Sequence, residues 1–210
     1  MHIFTKKMEQ VYHKKINSNT NIYVWKVTWG LDKFKYIYSV EETKKLKLSS
    51  YNSEKRKVEV LAVHFILNKL LKKRVYLEHL SSGKPFIKEN SHLSISHSHG
   101  YIAISMGGAN IAVDIEKPSV KFLKLTERFL SKKEKKDFDL NPSKELACRL
   151  WGAKESILKC EGDKNINFRY SINLDWNKQM KGNTLKGSYF IYHHTIGEMI
   201  LTWSVNKDEI

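Results

Sequence analysis

Apolar positions recur on a helical period through NSEKRKVEVLAVHFILNKLLKK, the stretch that begins at Asn52. Val60, Val63, Leu67, Leu70 and Leu71 fall at i, i+3, i+7, i+10 and i+11 and make one continuous face. Leu61, Ala62, Phe65 and Ile66 widen it, so this helix is expected to be buried on more than one side, with Asn52 or Ser53 as its N-cap. Elsewhere the period drops to two. NIYVWKVT (21–28) reads as a strand, and SSGKPFI as a turn entering a short one. HLSIS (92–96), YIAISMG (101–107) and NIAVDIE (110–116) are separated by short gaps with Gly100 and Gly107-Gly108 as punctuation, which predicts antiparallel neighbours.

The second half repeats that order loosely. Helices are expected over 121–138 and 142–160, the latter opened by Asn141-Pro142 and closed at Gly162. Strands are expected over 166–175, 188–196 and 198–205. The charged stretch SKKEKKDFDLNPSKE (131–145) has little apolar content and reads as mobile. Each half thus runs strand, helices, strands, an α+β arrangement with two similar halves.

Of 210 residues, 41% are hydrophobic and 28% charged, an ordinary globular balance with a chain long enough to bury a core. No apolar run reaches the ~18–20 residues of a membrane span, and MHIFTKKMEQ lacks the core of a signal peptide. Cys148 and Cys160 share one expected helix, twelve residues apart, which is ~18 Å and too far for a disulfide within it. Neither has a CxxC companion, so both read as reduced packing residues of a cytoplasmic protein.

Charge changes the picture more. The formal net charge is +15: residues 1–105 hold 19 Lys+Arg against 8 Asp+Glu, and 106–210 hold 18 against 14. Such a chain is expected to meet a polyanion, whether nucleic acid, a phosphate-rich cofactor, an anionic membrane surface or an acidic protein. Against this background Asp114 and Glu116 stand out. On a strand, i and i+2 share a face, ~6–7 Å apart, and two carboxylates that close disfavour joint ionisation. Either a lysine or a metal ion is expected beside them.

Further candidates lie in LWGAKESILKCEG. Glu155 and Lys159 are i, i+4 on one helical face, with Trp151 one turn before. Read alone, they are an exposed ion pair beside a core tryptophan. Read with Asp114 and Glu116, Glu155 completes an all-oxygen site that suits Mg²⁺ and neither zinc nor copper. In SISHSHG (94–100), Ser96 and His97 end a strand where hydroxyl and imidazole can face a ligand. Lys84 and Pro85 sit in a GKP turn, and KRK (55–57) puts three cations at a helix start, against the helix dipole. That placement favours an anionic ligand there.

In this order and spacing, GKPFI, SISHS, IAVDIE and LWGAKESILKCEG resemble the signature of 4'-phosphopantetheinyl transferases of the two-halved, surfactin-synthetase-activating type, over about residues 50–175. The resemblance implies a pseudo-twofold pair of α+β halves, here 1–107 (basic, binding the coenzyme A phosphates) and 108–210 (metal and catalytic residues), in one compact unit with the active site in the cleft between. It implies transfer of 4'-phosphopantetheine from coenzyme A to a serine of an apo acyl or peptidyl carrier protein, leaving 3',5'-ADP, in fatty acid, polyketide or nonribosomal peptide biosynthesis. Asp114, Glu116 and Glu155 match the Mg²⁺ carboxylates (Mn²⁺ being an alternative), Glu155 the general base and Lys159 the lysine assisting the leaving group. Lys154 matches a lysine beside the coenzyme phosphates, and Ser96 and His97 residues at its 3'-phosphate and pyrophosphate. Lys84 and Pro85 match the turn lining the nucleotide, Arg56 a helix-start arginine on the phosphates, and Lys44, within KKLK (44–47), plays a similar part in a looser alignment. Asp114 and Lys159 also count among the coenzyme-binding residues. The family's usual glycine is replaced by Ala112, which removes no ligand. An internally repeated chain can act alone, so a monomer without nucleic-acid or membrane partners is expected. The alternatives are a basic nucleic-acid-binding module and a coenzyme A-binding protein without turnover.

Overall fold

The computed structural model describes residues 8–88, 92–163 and 165–209. The chain runs β1 (Glu9–Lys15), β2 (Asn21–Lys26), α1 (Leu31–Lys35), α2 (Val40–Lys45), α3 (Glu54–Leu71), β3 (Glu78–His79), β4 (Pro85–Phe86), β5 (His92–Ser98) and β6 (Tyr101–Gly107). It continues through β7 (Ile111–Glu116), α4 (Val120–Phe129), α5 (Lys132–Phe138), α6 (Lys144–Glu161), α7 (Phe168–Ser171), β8 (Asn173–Asp175), β9 (Lys181–Asn183), β10 (Ser188–Ile196) and β11 (Met199–Asn206). One antiparallel sheet has the order β1-β2-β6-β5, another β7-β11-β10-β9-β8, and β3-β4 form a separate ribbon. The mixed α+β class expected from the sequence is the class observed.

Alternation along the strands sorts the core into layers. Trp25 and Ile104 pack with Phe34, Leu61, Ile66 and Leu67, so one face of the first sheet receives α3. Ile22, Val24 and Ala103 face the other way and meet Ile111, Val113, Ile115, Leu201 and Val205, which joins the two sheets. Ala112 and Ile200 then face Phe122, Leu150, Ala153 and Ile157, the layer where α4 and α6 cover the second sheet. On β7 the same period puts Asp114 and Glu116 on the side of Ala112, toward α6.

Several expectations need correction. β5 and β6 are antiparallel neighbours, joined through His99 and Gly100, both with positive φ as a type I' turn demands. β7, however, pairs with β11 rather than β6. Gly107, at φ 143°, sits where a Cβ would collide with the Asn19 carbonyl, and the chain leaves the first sheet there. The helix expected over 121–138 is two helices, broken at buried Leu130, after which Ser131 and Glu134 form a capping box. The segment read as mobile therefore holds α5, and Glu134 is only 3% exposed. α6 starts later than expected, capped by Ser143 rather than Asn141. The strand expected over 166–175 is the helix α7 followed by β8, because Asn167 caps the Arg169 and Tyr170 amides. Cys148 and Cys160 are buried and unpaired with each other.

Candidate active site

β7 and α6 bring the acids together. Asp114 is 4% exposed, and its Oδ1 accepts hydrogen bonds from Ser96 Oγ at 2.9 Å and Lys159 Nζ at 2.9 Å. Lys159 also donates to the Val113 carbonyl at 3.0 Å. Gly152 allows this close approach of α6: a Cβ there would lie 2.7 Å from Thr202 Oγ1 and 3.5 Å from Asp114 Oδ2. Glu116 accepts a 2.7 Å bond from Ser98 Oγ. Burial, with Asp114 adding to it, pushes the Glu116 carboxyl above the usual range, while Ser98 opposes the shift. Burial likewise raises Glu155, helped by Asp114 and Glu116 and opposed by Lys159. Beneath them the Cys148 thiol is pushed up to about 12, by burial first and then by Glu116 and Asp114. A lysine thus answers for Asp114, but Glu116 and Glu155 remain under-compensated.

Among the described residues no group of three His, Cys, Asp or Glu is drawn tightly enough to form a ready metal cage. The three acids nonetheless share one electrostatic neighbourhood, and their donors are all carboxylate oxygens, the chemistry that suits Mg²⁺.

A cationic wall lies across from them. Ser53 caps α3 through the Arg56 amide, which fixes the basic first turn. Arg56 Nη1 donates to His97 Nε2 at 2.5 Å and to Glu59 Oε2 at 3.2 Å, and His97 Nδ1 lies 3.3 Å from Glu59 Oε2. Desolvation, then Arg56 and Lys159, hold His97 below the ordinary histidine range against Glu59, so the ring is neutral at pH 7. A cavity of about 370 Å³ here is lined by Lys45, Lys47, Tyr51, Arg56, His64 and His97. A second, about 270 Å³, is lined by Lys84, Leu93, Leu158 and Lys159, and both share Pro85 and Ile95 as walls. The Arg56 wall and Lys159, which holds Asp114, therefore open onto adjoining space.

The expected site residues do not all fall here. Arg56, His97, Pro85 and Lys159 line the two cavities, and Asp114, Glu116 and Glu155 gather around Lys159 behind them. Lys154 does neither: it is fully buried, and its three N–H bonds go to Glu134 Oε2 (2.7 Å), the Phe168 carbonyl (2.8 Å) and the Ile172 carbonyl (2.9 Å). No donor is left for a phosphate, so its expected role is corrected to holding α5 and the 168–172 segment onto α6. Ser96 is also committed, to Asp114 and to the Ile115 amide, rather than facing a ligand. Lys84 lines the second cavity, but its ammonium lies 3.4 Å from both Asn110 Oδ1 and the Cys160 carbonyl, at the end of α6. Lys44 lines a different hollow with Phe34 and Lys57, whereas its neighbours Lys45 and Lys47 line the Arg56 cavity. Sequence reasoning missed Glu59, which lies three residues after Arg56 on one helix face, and Ser98, which continues the period of Ser94 and Ser96.

Residues 110–198 match the family model described as the 4'-phosphopantetheinyl transferase superfamily. Curated relatives include the 4'-phosphopantetheinyl transferase Sfp of Bacillus subtilis (strain 168), 35% identical over 85 residues, which are 38% of either chain. The 4'-phosphopantetheinyl transferase ffp of Bacillus subtilis is 38% identical over the same length, again 38% of either chain. The 4'-phosphopantetheinyl transferase psf-1 of Bacillus pumilus is 29% identical over 120 residues, 54% of this chain and 51% of its own. The chain thus spans between about two fifths and half of the relatives it matches. Of the four sequence motifs, IAVDIE and LWGAKESILKCEG fall within residues 110–198, and over that stretch, which holds Asp114, Glu116, Glu155 and Lys159, the chain is similar to the 4'-phosphopantetheinyl transferase superfamily.

Proposed function

We propose that this chain is an enzyme, a transferase that moves the 4'-phosphopantetheine group from coenzyme A to a serine of an apo carrier protein and releases 3',5'-ADP. The observation that carries the reading is the convergence of Asp114, Glu116, Glu155 and Lys159 within the stretch that matches the family, with Lys159 lining a cavity that shares Pro85 and Ile95 with the one lined by Arg56 and His97. Two similar halves, 1–107 and 108–210, with the coenzyme in a cleft between them and a monomer acting alone, fit an eighteen-residue helix on each sheet.

The acceptor serine's Oγ attacks the phosphorus that carries the pantetheine arm, the P–O bond to the other phosphate breaks, and 3',5'-ADP departs. Glu155, held protonatable by burial and its acidic neighbours, takes the serine proton. Lys159 places its ammonium where negative charge grows on the leaving diphosphate oxygen. Arg56, Lys45 and Lys47 hold phosphate, and neutral His97 offers a ring nitrogen beside them once Arg56 turns to the ligand. Asp114, Glu116 and Glu155 would hold Mg²⁺ or Mn²⁺, which when bound supplies charge neutralisation at the pyrophosphate. The surplus of cations in the first half suits both the coenzyme and an acidic carrier surface.

The test is incubation with coenzyme A, Mg²⁺ and a panel of apo acyl and peptidyl carrier proteins, followed by intact mass spectrometry. A phosphopantetheine adduct on serine is expected, absent with Glu155→Gln; no adduct on any carrier overturns the reading.

A further inference from the structure

The serines of SISHS do more than decorate a strand. Ser94, Ser96 and Ser98 alternate along β5 and so point to one side. That side is β7, which shares no backbone ladder with β5. Ser94 Oγ accepts from the Val113 amide at 3.2 Å, and Ser96 Oγ from the Ile115 amide at 3.2 Å. Ser96 Oγ then donates to Asp114 at 2.9 Å, and Ser98 Oγ to Glu116 at 2.7 Å. From β6, Ser105 Oγ donates to the Ile111 carbonyl at 2.6 Å. The separation in sequence stays at 18 or 19 from rung to rung, so the two strands run side by side in the same direction.

In an antiparallel pair only alternate residues exchange backbone bonds, so every second N–H of β7 faces away from β11. Buried amides need partners. Here hydroxyls supply them, and the same hydroxyls reach the carboxylates.

We propose that Ser96 and Ser98 are positioning residues that preset the Asp114 and Glu116 carboxylates for a divalent cation, through a seam of hydroxyls that replaces strand pairing between the sheets; the cation rests on the function proposed above. A hydrogen bond fixes each carboxylate's rotamer and leaves its other oxygen for a ligand: Asp114 Oδ1 is engaged, and Glu116 Oε2 is engaged. Ser94 belongs to the same seam but touches no carboxylate, and so separates positioning from mere support.

Mn²⁺ is titrated into the purified chain, without coenzyme or carrier, and free ion is read by electron paramagnetic resonance. Ser96→Ala and Ser98→Ala are expected to bind about tenfold more weakly. Ser98→Thr, which keeps the hydroxyl, restores affinity, and Ser94→Ala binds as the parent does. Amide hydrogen exchange gives a readout without metal: Ser94→Ala unprotects Val113 and Ser96→Ala unprotects Ile115. Parent-like Mn²⁺ binding by Ser98→Ala, equal weakening by Ser94→Ala, or unchanged exchange at Val113 and Ile115 overturns the proposal. A parent chain that binds no Mn²⁺ also overturns it, whereas one that binds Mn²⁺ with the expected series but transfers nothing supports the seam and removes only the proposed reaction.

Discussion

Lys154 and Lys159 are five residues apart on α6 and meet opposite fates. At 100° per residue they lie about 140° apart around the helix, so one faces α5 and α7 while the other faces β7. The motif shows both lysines, but a string of letters does not show which face is covered; that depends on Glu134, twenty residues away, entering the core to meet Lys154. Asp114 with Glu116 and Glu155 with Lys159 were legible because strand and helix periods put each pair on a shared face, whereas Arg56 was singled out within KRK only by the family resemblance. A second buried group bears on pH. His193 Nδ1 lies 2.9 Å from Thr202 Oγ1 and Nε2 3.2 Å from Met180 sulfur, and burial, with Arg149 adding to it, lowers the ring to about 3 from an ordinary 6.5. Between those values the unfolded chain binds a proton that the folded chain refuses, so stability falls as pH falls through that window, by about 1.4 kcal/mol per unit. His64 and His97, also lowered, act with the same sign. Urea unfolding at pH 7 and pH 5 is expected to show a smaller loss for His193→Asn than for the parent; equal losses contradict the assignment.

α6 is the element on which the site depends most. Its acidic-basic pair and its Gly162 end were readable, as were the apolar face of α3 and the strands β6 and β10, because each is long and periodic. Most of the short elements were not. α1, α2 and α7 are four to six residues long, and β1 is a largely exposed edge strand, so no period or apolar run marks them. Gly152 shows how tightly α6 is placed. In an exposed helix Gly→Ala gains about 1 kcal/mol. Here the added methyl meets Thr202, whose hydroxyl is tied to His193, and overpacking of this kind costs about 1–3 kcal/mol. Gly152→Ala is therefore expected to melt lower than the parent in calorimetry by a few degrees, each 1 kcal/mol being about 2–4 °C at this size. A higher melting temperature would show that α6 has slack against β11.

For the whole molecule, the sequence foretold the α+β class and most strands but not how the sheets meet. Short gaps between 92 and 116 suggested three strands in one sheet; instead the third crosses to the other, and the crossing is made by serines that carry no hydrophobic signal. That joint also has a history within each molecule. Its rungs close loops of 18 or 19 residues, whereas the Lys159–Asp114 contact closes one of 45. The longer loop costs roughly 0.8 kcal/mol more chain entropy before any contact repays it. Strand acids should therefore meet their hydroxyls while the chain is still folding, and the lysine should arrive last. In stopped-flow refolding Ser96→Ala slows folding, while Lys159→Met chiefly speeds unfolding; the reverse pattern would place α6 in the nucleus. A joint between sheets then serves as an early checkpoint, since a chain that misaligns β5 against β7 cannot go on to seat α6.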